Sequence, residues 1–286
     1  MLPVILGISG TVLSEAERDL FVRLPPSGII LFGRNIENPA QLAELMASLQ
    51  CVLARESKLL VDQEGGRVAR LRAPHWPELP ATGALQTPNA AYAQGRALGA
   101  MARAAGFDVV TAPVLDLAYP GADAVIGDRA FASDPQLVAA LGASLAAGLI
   151  AENIIPVMKH LPGHGRATVD SHKTLPRIAE KNLDADFYPF TANAGLAWGM
   201  TAHIVYESLD PVHPATLSKS VIQNIIRGKI GFTGTLLSDD LAMDALTGPP
   251  EVRALAALAA GCDIALYCAG DFASNRAILE AVQSRA

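Results

Sequence analysis

The chain has little with which to bind a polyanion or cross a bilayer. Across 286 residues, 22 Lys and Arg face 28 Asp and Glu, giving a formal net charge of -6. No run of basic residues could neutralise a phosphate backbone, which argues against nucleic acid as a partner. Three cysteines, Cys51, Cys262 and Cys268, leave one unpaired in any disulfide scheme and show no C-x-x-C spacing. That fits core residues in a reduced compartment better than a secreted scaffold. The longest weakly polar run, LVAALGASLAAGLIA at 137–151, falls short of the roughly 20 residues a membrane span needs and is expected to be a buried helix. The opening MLPVILGISG carries no basic leader and meets Glu15, Glu17 and Arg18 at once, so no signal peptide and a cytoplasmic location are expected.

Several chemical fingerprints are also missing. GHGRAT at 163–168 lacks the final glycine of a dinucleotide fold, nothing matches the P-loop, and there is no G-x-S-x-G elbow. No linker rich in Gly, Ser or Pro divides the chain, and no sequence repeat is visible. Residues 1–286 are therefore expected to form one domain, and 51% hydrophobic side chains suffice for a large core.

What is present is alternation. Short apolar runs of strand length recur at 4–8, 28–32, 59–62, 108–114, 154–159, 197–202, 235–239 and 262–268. Between them lie segments with apolar residues at helical spacing, such as NPAQLAELMASLQCVLARE and DPQLVAALGASLAAGLIAE, several opening with Asn, Asp or Ser in a capping position. This order predicts an α/β fold with a parallel sheet, and eight repeats predict closure into a single (β/α)8 TIM-type barrel. A doubly wound open sheet is the alternative, because periodicity does not report closure.

In such a barrel the active site lies at the C-terminal ends of the strands. The residues there are polar: Asp62 followed by QEGGR, Asp116, Lys159 with His160, His203, and Asp239 with Asp240. Any one could be a satisfied structural group, but so many on one rim suit a ligand dense in hydroxyl groups, such as a sugar.

The stretch KHLPGHGRATVDSHKTLP at 159–176 holds three of the six histidines. As zinc ligands, His160, His164 and His172 would need the loop to fold around the ion, since PGHGRATVD is too broken for a helix to present them together. The catalytic reading centres on Asp170 and His172: a carboxylate bonded to one imidazole nitrogen fixes the tautomer and raises the basicity of the other. An exposed loop with an incidental ion pair is the third reading.

The segments LLVDQEGGRVARLR, IGDRAF, KHLPGHGRATVDSHKTLP, MTAHIVY, PATLS and LLSDDLAM, in this order, resemble the bacterial β-N-acetylhexosaminidases of glycoside hydrolase family 3, from about Gly28 to Ala242. The resemblance implies a retaining hydrolase, without metal or cofactor, that removes terminal non-reducing β-N-acetylglucosamine through a covalent glycosyl-enzyme. It implies Asp239 as nucleophile, with Asp240 as the fallback, and His172 as acid/base with Asp170 as its partner. Substrate-binding positions carry over to Asp62, Arg70, Arg129, Lys159 and His160, and His164 is expected to shape the loop. For Arg129 the bland alternative is an ion pair with Asp128 or Asp134, and for Gly65 and Gly66 a tight turn. The resemblance further implies action on muropeptides, 1,6-anhydro-N-acetylmuramyl peptides, in cytoplasmic peptidoglycan recycling; the sequence leaves the oligomeric state open, with a monomer favoured. Two departures from the relatives are a short connection, LTGPPEVR, after strand 7 and an early C-terminus, and the second domain that many other members of family 3 carry is not expected here. A zinc hydrolase using His160, His164 or His203 and a sugar-binding barrel without catalysis remain the competing readings.

Overall fold

The computed structural model describes residues 1–285. Eight strands pair in parallel: β1 Leu2–Leu6, β2 Pro26–Leu31, β3 Lys58–Val61, β4 Val109–Val110, β5 Ile155–Leu161, β6 Trp198–Thr201, β7 Thr235–Leu237 and β8 Ala265–Tyr267. β8 pairs with β1, and a bridge from Leu237 to Ile264 joins β7 to the entry of β8, so the sheet closes on itself. The barrel expected from the alternation is the fold, and the open sheet is excluded. Around it lie α1 Glu15–Arg23, α2 Pro39–Val52, α3 Pro88–Ala104, α4 Pro135–Ala151, α5 Asp184–Ala192, α6 Pro250–Ala260 and α7 Phe272–Gln283. A π-helical segment, Val221–Lys229, fills the remaining helical position.

Local chemistry starts these helices. Asn38, Thr87 and Asp134 each cap a helix through a side-chain oxygen and are followed by Pro at the first helical position. There the missing N–H costs nothing, and each cap contributes about 1 kcal/mol. Ser14 and Glu17 form a reciprocal capping box on α1.

Two differences from the expected elements have backbone causes. The run 108–114 forms only a two-residue strand, because the Ala112 N–H turns back onto the Val110 carbonyl at 2.9 Å and Pro113 next to it has no N–H for the ladder. Pairing resumes beyond it through Val114 and Lys159. Within the long loop after β5, Arg177–Ile178 pairs with Val205–Tyr206 as a short parallel ribbon.

The barrel interior takes one apolar side chain from each strand: Ile5, Ile30, Leu60, Val109, Val157, Met200, Leu237 and Leu266. Side chains alternate along a strand, so the residue two positions further on points to the same side at the C-terminal mouth. That rule puts Phe32, Asp62, Thr111, Lys159, Asp239 and Cys268 over the apolar plug. The site is the polar continuation of the barrel's own inner face.

Candidate active site

A cavity of about 390 Å³ opens at this mouth, with Ile30, Met200 and Leu266 of the plug among its lining residues. Its volume falls in the range of small-ligand pockets. Asp62, Arg70, Arg129, Lys159, His160, His172 and Asp239 all line it; Asp170, the remaining sequence-predicted residue, stands behind His172.

One wall is a network of charges from β3, β5 and two loops. Asp62 accepts from Arg70 Nη2 at 3.1 Å, from Lys159 Nζ at 3.4 Å and from the Thr111 hydroxyl. Lys159 Nζ also lies 2.7 Å from Glu64 Oε1 and donates to Thr111 at 3.0 Å. Glu64 in turn takes both arms of Arg129, at 2.8 Å each. Burial alone would raise the Asp62 carboxyl, but Lys159 and Arg70 outweigh it and hold the group well below the usual carboxylate range. Arg70 Nε is buried without a protein partner.

The partner of Arg129 corrects the sequence expectation: neither Asp128 nor Asp134 binds it. Asp128 pairs instead with Arg67 at 2.9 Å, and Asp134 caps α4. Glu64, which sequence reasoning passed over inside QEGGR, can reach both Arg129 and Lys159 because the next two residues turn sharply. Gly65 and Gly66 have φ of 100° and 57°, and a Cβ on Gly65 would sit 2.3 Å from the Pro80 carbonyl oxygen.

A stability prediction follows from this buried pair. Burial would raise the Glu64 carboxyl, yet Lys159 and Arg129 pull it from 4.5 to about 2. The contribution is therefore present above the unfolded value and is lost as pH falls toward the folded one. Glu64→Gln, which leaves Arg129 and Lys159 short of a counter-charge, is expected to cost about 3–5 kcal/mol at neutral pH. Urea unfolding should show the difference from the parent protein shrinking as pH falls from 5 toward 2; a constant difference across that range would contradict the ion-pair origin.

The second wall is organised by Asp116, whose side chain is fully buried. Its Oδ2 lies 2.6 Å from His160 Nδ1, and its Oδ1 accepts the backbone N–H groups of His160 and His164 at 3.2 and 2.6 Å. Asp116 thus fixes the His160 ring and leaves Nε2 for a ligand. Burial and the neighbouring His160 push the His164 ring down to about 4, so it is neutral at neutral pH. His164 Nε2 meets Ser171 Oγ at 3.0 Å. As expected, His164 braces the loop; it ties down the residue between Asp170 and His172.

On that loop, Asp170 Oδ1 accepts the His172 backbone N–H at 2.9 Å and lies 2.8 Å from ring Nδ1. Burial opposes ionisation of Asp170, but these two bonds to His172 outweigh it and keep its carboxyl low. The His172 side chain is 62% exposed against 26% for Asp170. The imidazole is held on one nitrogen and open on the other.

β7 supplies the floor. Asp239 continues the inward face that carries Leu237. The only hydrogen bond to its carboxylate among the described residues is the neighbouring Asp240 N–H on Oδ1, at 2.8 Å. Burial would raise the Asp239 carboxyl, yet His203 and His160 outweigh it and lower it. Asp240 differs: Ala242 N and Cys268 N both hold its Oδ1, at 2.9 Å each, and burial raises its carboxyl. Both aspartates border the cavity, but Asp239 is the one whose carboxyl is lowered and whose Oδ2 carries no protein hydrogen bond among the described residues.

Of the zinc candidates, His203 is held on both ring nitrogens, by Thr216 and the Asp240 carbonyl, whereas His160 and His164 are each held on one, by Asp116 and Ser171. Among the described residues no group of three or more His, Cys, Asp and Glu is arranged to hold a metal ion. None of the described helices is long and apolar enough to cross a membrane.

Comparison with known proteins shows the family. Residues 9–286 match the profile of the glycosyl hydrolase family 3 N terminal domain. A β-hexosaminidase of Aromatoleum aromaticum is 38% identical over 314 aligned residues, covering 99% of this chain and 87% of that protein. A family 3 β-N-acetylglucosaminidase from a Paenibacillus species superposes with a TM-score of 0.92 at 32% identity, covering 99% of this chain but 56% of that one. NagZ from Neisseria gonorrhoeae, solved in complex with N-trifluoroacetyl-D-glucosamine, gives 0.88 at 35% identity, covering 99% of this chain and 84% of that one. Sequence and shape thus agree: the chain is a glycoside hydrolase and belongs to glycosyl hydrolase family 3.

Proposed function

We propose that this protein is a retaining β-N-acetylhexosaminidase that removes terminal non-reducing β-N-acetylglucosamine. The observation that carries the reading is the pairing of two groups around one cavity: Asp239, ionised with an unpaired carboxylate oxygen, and His172, backed by Asp170 and open on its second nitrogen. In the first step Asp239 attacks the anomeric carbon while His172 gives its proton to the departing glycosidic oxygen, forming a glycosyl ester. In the second, neutral His172 takes a proton from water, and the water oxygen displaces the Asp239 carboxylate. Asp62, Arg70, Lys159 and His160 bind the sugar hydroxyls, with Arg129 holding the wall through Glu64. Groups with fixed donors reject a sugar that leaves them unpaired.

The relatives' names, β-hexosaminidase and β-N-acetylglucosaminidase, support the sugar specificity. The finer reading is a monomeric, single-domain enzyme that cleaves 1,6-anhydro-N-acetylmuramyl peptides in cytoplasmic cell-wall recycling. The three free cysteines suit a reducing compartment. The test is release of nitrophenol from nitrophenyl β-N-acetylglucosaminide by purified protein, with and without a chelator. Turnover indifferent to the chelator is expected; chelator-sensitive turnover would favour the zinc reading, and folded protein without turnover would favour a binding barrel.

A further inference from the structure

Two of the motifs, MTAHIVY and PATLS, supply no charged group to the sugar wall, yet they converge under the floor of the site. Asp239 N–H donates to Thr201 Oγ1 at 3.2 Å, Thr201 Oγ1 lies 2.8 Å from Thr216 Oγ1, and Thr216 Oγ1 lies 2.8 Å from His203 Nδ1. The far side of the ring closes the circuit: His203 Nε2 lies 2.9 Å from the Asp240 carbonyl oxygen. A carbonyl only accepts, so Nε2 carries a proton there whatever the state of Nδ1. Thr201, His203 and Thr216 are all fully buried. The turn bearing Thr216, Ala215–Leu217, is itself docked by Ala215 N–H on the Ile204 carbonyl at 2.8 Å.

We infer that His203, Thr216 and Thr201 form a positioning bracket for the nucleophile, gripping the Asp239–Asp240 dipeptide by its first N–H and its last carbonyl. β7 ends at Leu237, and its own ladder reaches neither group. Without the bracket this dipeptide would be held by Ser238 N–H and Leu241 N–H on the Ile264 and Leu266 carbonyls, by Met243 N–H on the Asp240 carbonyl and by the Asp240 side chain, with nothing on the Asp239 N–H. With it, rotation of the 239–240 unit is blocked at both ends, and the Asp239 carboxylate keeps the inward orientation inherited from Leu237. None of the three residues appears in the cavity lining, so they act through Asp239 and are positioning residues.

The inference rests on Asp239 being the nucleophile, and its test separates the two claims. Thr216→Val keeps the shape and removes the link. Rapid-mixing measurement of nitrophenol release should show the glycosylation rate falling by up to about 10²-fold, the scale of a small misplacement at a reacting centre. The inhibition constant of N-acetylglucosamine should stay near the parent value, and Thr216→Ser, which restores the hydroxyl, should recover most of the rate. A merely structural role would lower the melting temperature without this split. If Thr216→Val does not fold, His203→Gln, which keeps an N–H for the Asp240 carbonyl, carries the test and should slow glycosylation with unchanged sugar affinity. A parent-like rate in folded Thr216→Val or His203→Gln, with Asp239→Ala inactive, overturns the bracket alone. Retained turnover in Asp239→Ala overturns the nucleophile and the bracket together.

Discussion

Asp239→Ala is expected to abolish hydrolysis of nitrophenyl β-N-acetylglucosaminide, by at least about 10⁴-fold in kcat, the scale set by removal of a covalent nucleophile. N-acetylglucosamine should still bind with near-parent affinity, because the charge network on the β3 and β5 wall is untouched. Asp240→Asn should be much milder in chemistry, since its Oδ1 serves backbone amides rather than the ligand space. The pH profile has a defined sign. His203 and His160 outweigh burial at Asp239 and lower its carboxyl, so the acid limb of kcat/KM should fall below the ordinary carboxylate range, with activity lost as pH drops through it. Equal losses in Asp239→Ala and Asp240→Asn, in folded protein, would contradict the division of labour between the two.

His172→Ala should produce the second largest effect, and one that depends on the leaving group. Loss of a general acid costs about 10²–10⁴-fold where the departing oxygen needs a proton, as in a disaccharide or muropeptide. A nitrophenolate departs without one, so the first step on the activated substrate should be far less affected; a burst of nitrophenol followed by slow turnover should expose the missing base in the second step. Asp170→Asn should reproduce the pattern at smaller amplitude, because the ring keeps its place on the loop through Ser171 and His164 but loses the carboxylate on Nδ1. The same fractional loss on disaccharide and nitrophenyl substrates would remove His172 as the proton donor.

The barrel was legible because buried parallel strands and amphipathic helices differ in length and period, and eight alternations leave few arrangements. The strand-end residues Asp62, Lys159 and Asp239 could be listed for the same reason. Orientation was not legible at β7. Leu236 and Leu237 are both apolar and both buried, one against the helices and one inside the barrel, so alternation carries no signal there. Only the closed structure tells which face Asp239 inherits. Long-range partners were equally hidden. Arg129 passes over its neighbours Asp128 and Asp134 for Glu64, 65 residues away, a choice made by the Gly65–Gly66 turn. Asp116 could be placed on the rim from sequence, but its grip on His160 and His164 depends on the chain crossing back over it. The bracket under Asp239 joins three separated segments through hydroxyls and a ring, and no spacing rule predicts such a contact.

The central claim is that Asp239 becomes covalently bonded to the sugar. A 5-fluorinated N-acetylglucosaminyl fluoride tests it most directly, because the fluoride leaves readily while the ring fluorine slows hydrolysis of the intermediate. Intact mass and peptide mapping should show one sugar per chain, attached to the peptide containing Asp239 and absent in Asp239→Ala. Turnover of the reagent with no protein adduct, or an adduct on another residue, would contradict the account; the first result would point to the substrate's own acetamide as nucleophile.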